Sequence, residues 1–313
     1  MIWKIFNKVP AGLMIIPMFT GIIIHSFFPG ILEIGSFTTA VFSSEGAITI
    51  MGVQLLCLGS QLRVKELGLV ARRSAALLLS KFLLGFLAIL LIGRLAGRDS
   101  IFGISLLALV CSITNINGSI YLSLTAAYGD EADAAVVGPL SLTNGPFLTL
   151  LVLGASGTAS FSPVSLIATV MPLLIGIVMG NTSKAIREFL KPGIQLLLPF
   201  IGFTLGAGID LKNVSGAGID GILLSMIVLG IGGAFTFLCD KFIAGRPGYA
   251  GLAASATGAN AIGVPAAIAL ADPAWKPCVE TAAAQIAAVV VITAIAVPMI
   301  TGIFVKSRKI GGQ

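Results

Sequence analysis

Ionisable chemistry is scarce in this chain. A single histidine, His25, excludes a metal centre built from imidazoles, and no cluster of Asp and Glu stands in for one. The four cysteines, Cys57, Cys111, Cys239 and Cys278, stand singly in apolar segments without CxxC spacing, which reads as packing and not as redox or metal chemistry. No GxxxxGK[ST] loop occurs, and no connecting segment is long enough for an ATP-driven module, so any work must draw on a gradient. With neither a nucleophile–base pair nor a metal site, an integral-membrane enzyme is disfavoured, and no cofactor is implied. Charged residues amount to 10%, against roughly a quarter in an ordinary soluble domain.

Apolar surface fills the chain instead: 57% of residues are hydrophobic and the mean hydropathy is +1.05. That profile predicts an all-α polytopic membrane protein whose partner is the lipid bilayer. At about 20 residues per span, the 313 residues accommodate roughly ten helices and no soluble domain. The opening "MIWKIFNKVPAGLMIIPM" is positive like a signal peptide, but no small-residue cleavage site follows, so it reads as a retained first helix. Hydropathy places segments near 9–28, 45–62, 73–94, 101–128, 133–156, 163–181, 192–210, 217–239, 249–271 and 277–303. Lys and Arg collect on one side fourteen to four, the minority being Arg94, Arg98, Lys212 and Lys276, with Lys81 inside a span. Both termini are therefore expected in the cytoplasm, and the net charge of +6 reflects basic loops, not a nucleic-acid partner. The acidic "GDEAD" at 129–133 reads as a solvated loop and a helix cap.

The two halves of the chain match each other in order. Pro17 and Gly21 of "MIIPMFTGIII" match Pro172 and Gly176 of "TVMPLLIGIVM", and Leu58, Gly59 and Lys65 match Leu205, Gly206 and Lys212. In the fourth segment of each half, "TNIN" at 114–117 and "TGAN" at 257–260 share Thr and Asn, 143 positions apart in both cases. Five helices per half is an odd number, so residues 1–157 and 158–313 are expected to form two inverted repeats, with helices 4 and 9 interrupted and crossing near the midplane. Polar breaks at membrane depth are tolerated where they are buried in protein or line a cavity. The plainer reading is that Ser, Thr, Asn and Gly let neighbouring helices pack and hydrogen-bond.

Several stretches resemble the 2-keto-3-deoxygluconate permease family: "KVPAGLMIIPMFTGIIIHSFFPG" at the start, "GSFT" at 35–38, "CLGSQL" at 57–62, "NGSIY" at 117–121 and "GPFLTLLVLGASGTASF" at 145–161. "LLPFIGFTLGAGIDL" at 197–211 and "AGLAASATGANAIGVPAAIA" at 250–269 extend the likeness along nearly the whole chain. The resemblance implies symport of a six-carbon keto sugar acid with a cation, usually a proton, across a bacterial inner membrane. It also implies the two-repeat architecture of the bile-acid and arsenite transporter superfamily, with a core near 73–156 and 217–303 and a panel near 9–62 and 163–210. The sequence departs from that family where Thr114 and Thr143 stand in place of acidic residues, and where Glu45 and Glu280 bring carboxylates not expected there. Either the proton site has moved, or the coupling ion is sodium, or the substrate is another organic anion.

Candidate residues follow from both readings. Asn117 and Asn260, at matched positions in the breaks, are expected to face the substrate, with Asn115, Ser255, Thr257 and Gln285 completing the site. Thr114, Ser141, Thr143 and Asn144, with Asn115, offer neutral oxygens suited to sodium. Lys81, about 13 Å deep at 1.5 Å per residue, either holds the sugar-acid carboxylate or snorkels to the interface. Glu45 and Glu280, near helix starts, are dipole partners by default and proton carriers as the alternative. A passive channel is the competing function, and a homo-oligomer is left open because lipid-facing and partner-facing Leu and Ile look alike.

Overall fold

The computed structural model describes residues 12–43, 46–64, 67–93, 100–159, 163–208 and 211–310. Helices dominate, as the need to satisfy every backbone group in hydrocarbon requires. In chain order they begin with α1 (Gly12–Phe27), α2 (Ser36–Phe42), α3 (Gly46–Ser60) and α4 (Leu67–Ala88), which runs on as a π turn over Ile89–Gly93. Then come α5 (Leu106–Thr114), α6 (Gly118–Tyr128), α7 (Glu131–Ala135), α8 (Val137–Leu140) and α9 (Phe147–Ala155). The second half holds α10 (Pro163–Thr182), α11 (Lys184–Leu190), α12 (Gly193–Leu196), α13 (Leu198–Gly206) and α14 (Leu211–Ile227), which also ends in a π turn, over Val228–Gly232. It closes with α15 (Gly233–Phe242), α16 (Tyr249–Ala253), a 3-10 turn over Ala259–Gly263, α17 (Val264–Ala271) and α18 (Val279–Ile310).

Among the described residues, five stretches are long and apolar enough to cross a membrane: Val70–Gly93, Leu106–Tyr128, Lys184–Gly206, Gly218–Phe242 and Pro273–Ser307. The number rises to seven if the bent pairs α2 with α3, and Val137–Thr143 with α9, each count once. Three shorter apolar helices, Leu13–Phe27, Ile167–Thr182 and Ala259–Ala271, fall in the remaining hydropathy segments. Fewer full-length spans than ten therefore stand out, because bends and breaks divide the apolar runs. One departure from the all-helical expectation precedes α5. Ser100–Ile101 and Ile104–Ser105 form a two-stranded antiparallel hairpin, and its turn places both Phe102 and Gly103 at positive φ.

Two helix crossings are nearly identical. In one, α1 packs on α13; in the other, α3 packs on α10. A Cβ added to Gly206 would stand 2.0 Å from the Met18 carbonyl oxygen, and one added to Gly59 would stand 2.1 Å from that of Leu173. Met18 and Leu173 each follow the helix proline, Pro17 or Pro172. Conversely, a Cβ on Gly21 would meet the Phe203 carbonyl at 2.3 Å, and one on Gly176 that of Leu56 at 2.1 Å. Only glycine allows backbones to approach so closely, so the sequence-matched glycines are the ones that sit at the crossings. Elsewhere α4 packs on α5, α9 and α15, while α14 and α5 pack on α18 around a shared apolar core.

Candidate functional site

The fourth hydropathy segment is broken where the sequence expects it. α5 ends at Thr114, Asn115 caps it in an extended conformation, and α6 starts at Gly118. The ninth is broken between α16 and its 3-10 turn, at 254–258. These breaks touch. The Asn117 amide donates to the Ala256 carbonyl at 2.6 Å, and the Thr257 hydroxyl donates to the Ser112 carbonyl at 3.0 Å. A Cβ on Gly258 would meet the Ile116 carbonyl at 2.7 Å, so glycine is what lets the second break lie against the first.

Behind the crossing, each half carries a threonine pair. The Thr114 and Thr149 hydroxyls lie 2.7 Å apart, and the Thr257 amide donates to the Thr293 hydroxyl at 3.1 Å. Asn115 locks the first break further: its Nδ2 donates to the Cys111 carbonyl and its Oδ1 accepts from the Gly145 amide. The Lys81 ammonium nitrogen lies 3.4 Å from the Asn115 carbonyl oxygen. Ser255 and Thr143 turn their hydroxyls back to the Leu252 and Leu140 carbonyls. All these side chains are buried, and they hold the crossing in shape.

In front of the crossing lies a cavity of about 1000 Å³. Asn117, Ser141, Asn144 and Asn260 stand in its wall, each half-buried. Asn117 caps α6 by accepting from the Ile120 amide at 3.1 Å, and its carbonyl takes the Tyr121 amide. The N–H groups of Gly118 and Ser119 then lack intrahelical acceptors, as first-turn amides do, and both residues line the cavity. Gly258, Ala259 and Asn260, the start of the 3-10 turn leading into α17, line the same cavity. Two helical N-termini thus converge on one space, an arrangement that favours an anion.

Gln61 after α3, and Lys191 and Gln195 around the start of α12, line the same cavity. These three and Ser119 are not among the residues that the sequence singles out for the site. The available signal is an amide inside each of the apolar runs at 45–62 and 192–210 and a cation just before the second, but nothing in the order of residues says that those ends face the breaks.

The remaining expected residues lie elsewhere. Gln285 accepts from the Ser105 amide at 3.0 Å and donates to the Gly103 carbonyl at 2.7 Å, pinning the hairpin at the far end of α5. That is about 13 Å from the break along the helix. Glu280, half-buried, sits in the first turn of α18. Glu45 lies outside the described residues.

The acidic segment at 129–133 is only in part what its composition implies. Asp130 does cap α7, accepting from the Asp133 amide at 2.8 Å. Asp133, however, is 1% exposed, held by Arg73 at 2.7 Å, by Arg246 and by the Tyr249 hydroxyl. A carboxylate so buried requires such partners. Arg73 also binds Asp130 and, aided by the Asp133 amide and Arg246, holds its carboxyl down to about 2.

Comparison with known proteins places the chain in a family. The 2-keto-3-deoxygluconate permease (KdgT) family model matches residues 3–310. Among similar proteins, the 2-keto-3-deoxygluconate permease 1 of Salmonella typhimurium is 39% identical over 305 residues, covering 97% of this chain and 96% of its own. A 2-keto-3-deoxygluconate permease of Escherichia coli O157:H7 is 35% identical over 313 residues, covering 98% and 94%. The chain is therefore a multi-pass membrane protein of the transporter class, not an enzyme, and belongs to the 2-keto-3-deoxygluconate permease family.

Proposed function

We propose that this protein is a secondary transporter that brings 2-keto-3-deoxygluconate, or a closely similar sugar acid, into the bacterial cell together with a cation. The observation that carries the reading is the convergence of the α6 N-terminus and the 3-10 turn before α17 on one cavity, with Asn117 and Asn260, at matched positions in the sequence, both in its wall. Two positive dipole ends suit a carboxylate, and amides that both donate and accept suit hydroxyls and a keto oxygen. Neither Asn260 nor the Nδ2 of Asn117 has a hydrogen-bond partner among the described residues, so both amides are available to a ligand.

The reciprocal glycine crossings and the paired threonines support two inverted five-helix repeats, residues 1–157 and 158–313. Helices of 9–62 and 163–210 then form a panel against which a core of 73–156 and 217–303 moves. The charge bias of the loops supports cytoplasmic termini, which makes the wall at Gln61 and Lys191 the cytoplasmic side. The buried crossing behind the cavity supports a carrier, accessible from one side at a time, over an open pore. Ser141 and Asn144 remain the accessible oxygens for a bound cation, whereas Thr114 and Thr143 are already engaged.

Labelled 2-keto-3-deoxygluconate should accumulate in proteoliposomes under an imposed cation gradient and saturate with concentration. Separate proton and sodium gradients identify the ion. Equilibration without accumulation under either gradient would replace the carrier by a facilitator, and no uptake at all would remove this substrate.

A further inference from the structure

We infer that Lys81 carries the coupled proton, as a neutral amine in the conformation described here and as an ammonium when the sugar acid is bound. The inference rests on the transport reading above and assigns the residue that holds the proton. Lys81 is 2% exposed, deep on α4, and among the described residues its nitrogen meets one oxygen, the Asn115 carbonyl at 3.4 Å. No carboxylate lies within ion-pair distance of it among the described residues. An ammonium buried in that way would lack a counter-charge, while an amine costs far less to keep there.

The surroundings assign no other role to the charge. Of the elements packed on α4, its own π turn, α8 and α9 carry no ionisable side chain, α5 brings the Cys111 thiol, α7 carries Glu131 and Asp133, and α15 brings Cys239, Asp240 and Lys241. Asp133 is committed to Arg73 and Arg246, and Asp240 to the Gly251 amide at 3.1 Å. Arg73 stands eight residues before Lys81 on α4, about 12 Å along the helix. Lys81 thus reads the break and not the charge cluster.

Its position is suited to exchange. The Asn115 carbonyl belongs to the negative end of α5, which favours a cation, and three residues on, Gly118 opens the positive end of α6 at the cavity. A carboxylate arriving at α6 supplies the missing counter-charge across the break, raises the affinity of the Lys81 amine for a proton, and is itself held more tightly by the ammonium. Protonation forms one N–H bond with a proton from water. Release after the substrate leaves returns the amine and one proton to the aqueous phase, and the anion and proton cross as a neutral pair.

Proton uptake on binding is the test, read with a pH indicator in weak buffer as 2-keto-3-deoxygluconate is titrated into purified protein. The wild type should take up close to one proton per substrate bound, and its Kd should rise tenfold per pH unit on the alkaline side. In Lys81→Gln, binding should occur without proton uptake and without pH dependence. Lys81→Arg, which keeps a charge that does not titrate, should behave alike in both respects and serves if the glutamine variant does not fold. A wild-type proton count retained in either variant overturns the assignment while leaving the transport reading intact. Binding to the wild type with no proton taken up overturns the assignment too, and no binding to the wild type fails the reading beneath it.

Discussion

Gly206→Ala is expected to lower the thermal midpoint of the protein in detergent sharply, although the change adds one methyl group. The Cβ would lie 2.0 Å from the Met18 carbonyl oxygen, a backbone atom that cannot rotate away. To relieve the overlap, α1 and α13 must separate by more than an ångström along a contact that also includes Gly202 against Met14 and Gly21 against Phe203. Overpacking of this kind costs about 3 kcal/mol, a large share of a marginal total. Gly59→Ala, at the matching crossing, should do the same. Gly52→Ala in α3 is the contrast: nothing lies within 4 Å of its added Cβ, and alanine is the better helix former. Thermal midpoints by light scattering check the set, and a Gly206→Ala midpoint equal to the wild type would dismiss the close crossing.

Replacing both Asn117 and Asn260 should weaken sugar-acid binding by about a hundredfold. Each amide is assigned one or two hydrogen bonds to a charged or polyhydroxyl ligand, worth about 1.5 kcal/mol per residue, and therefore about tenfold each. Asn260→Ala removes only that, since its side chain has no protein partner among the described residues. Asn117 has a second duty as the α6 cap, which alanine would abolish at about 1 kcal/mol of stability. Asn117→Ser keeps the cap acceptor but loses the reach and the two N–H donors of the Nδ2 amide, so binding should fall while the thermal midpoint holds. Calorimetric titration of the two single variants and the double variant reads the effect, and unchanged affinity in all three removes these residues from the site.

Both breaks were legible in the sequence because polar and glycine residues in the middle of an apolar run have few physical excuses, and because the same spacing recurs 143 residues later. The glycines of the crossings were legible for the same reason, as matched positions. What the sequence did not reveal is which polar residue faces the cavity and which holds the frame. Thr114, Asn115 and Thr257 look as available as Asn117 and Asn260 on paper, yet the first three are buried in hydrogen bonds of the crossing itself. Gln285 finds its partners 180 and 182 positions away, at the hairpin, a separation that no local pattern encodes. The acidic neighbours of Asp133 suggest a solvated loop, but its counter-charges come from Arg73 and Arg246, 60 and 113 residues distant. Gln61, Lys191 and Gln195 join the cavity only through the tertiary approach of other helices to the breaks. The hairpin at 100–105 is hidden in the sequence because Ile101, Phe102 and Ile104 run straight into the apolar stretch that follows.

The central claim is that the sugar acid binds in the cavity at the start of α6. Ser119 is exposed there in the first turn, while three of the four native cysteines are buried and Cys278 is half-buried. With Cys278→Ser as background, Ser119→Cys should react readily with a small thiol reagent. Labelling should slow at least tenfold in saturating 2-keto-3-deoxygluconate, and not at all in glucose, which has no carboxylate. A labelling rate that sugar acid leaves unchanged, in protein that still binds it, would place the substrate elsewhere.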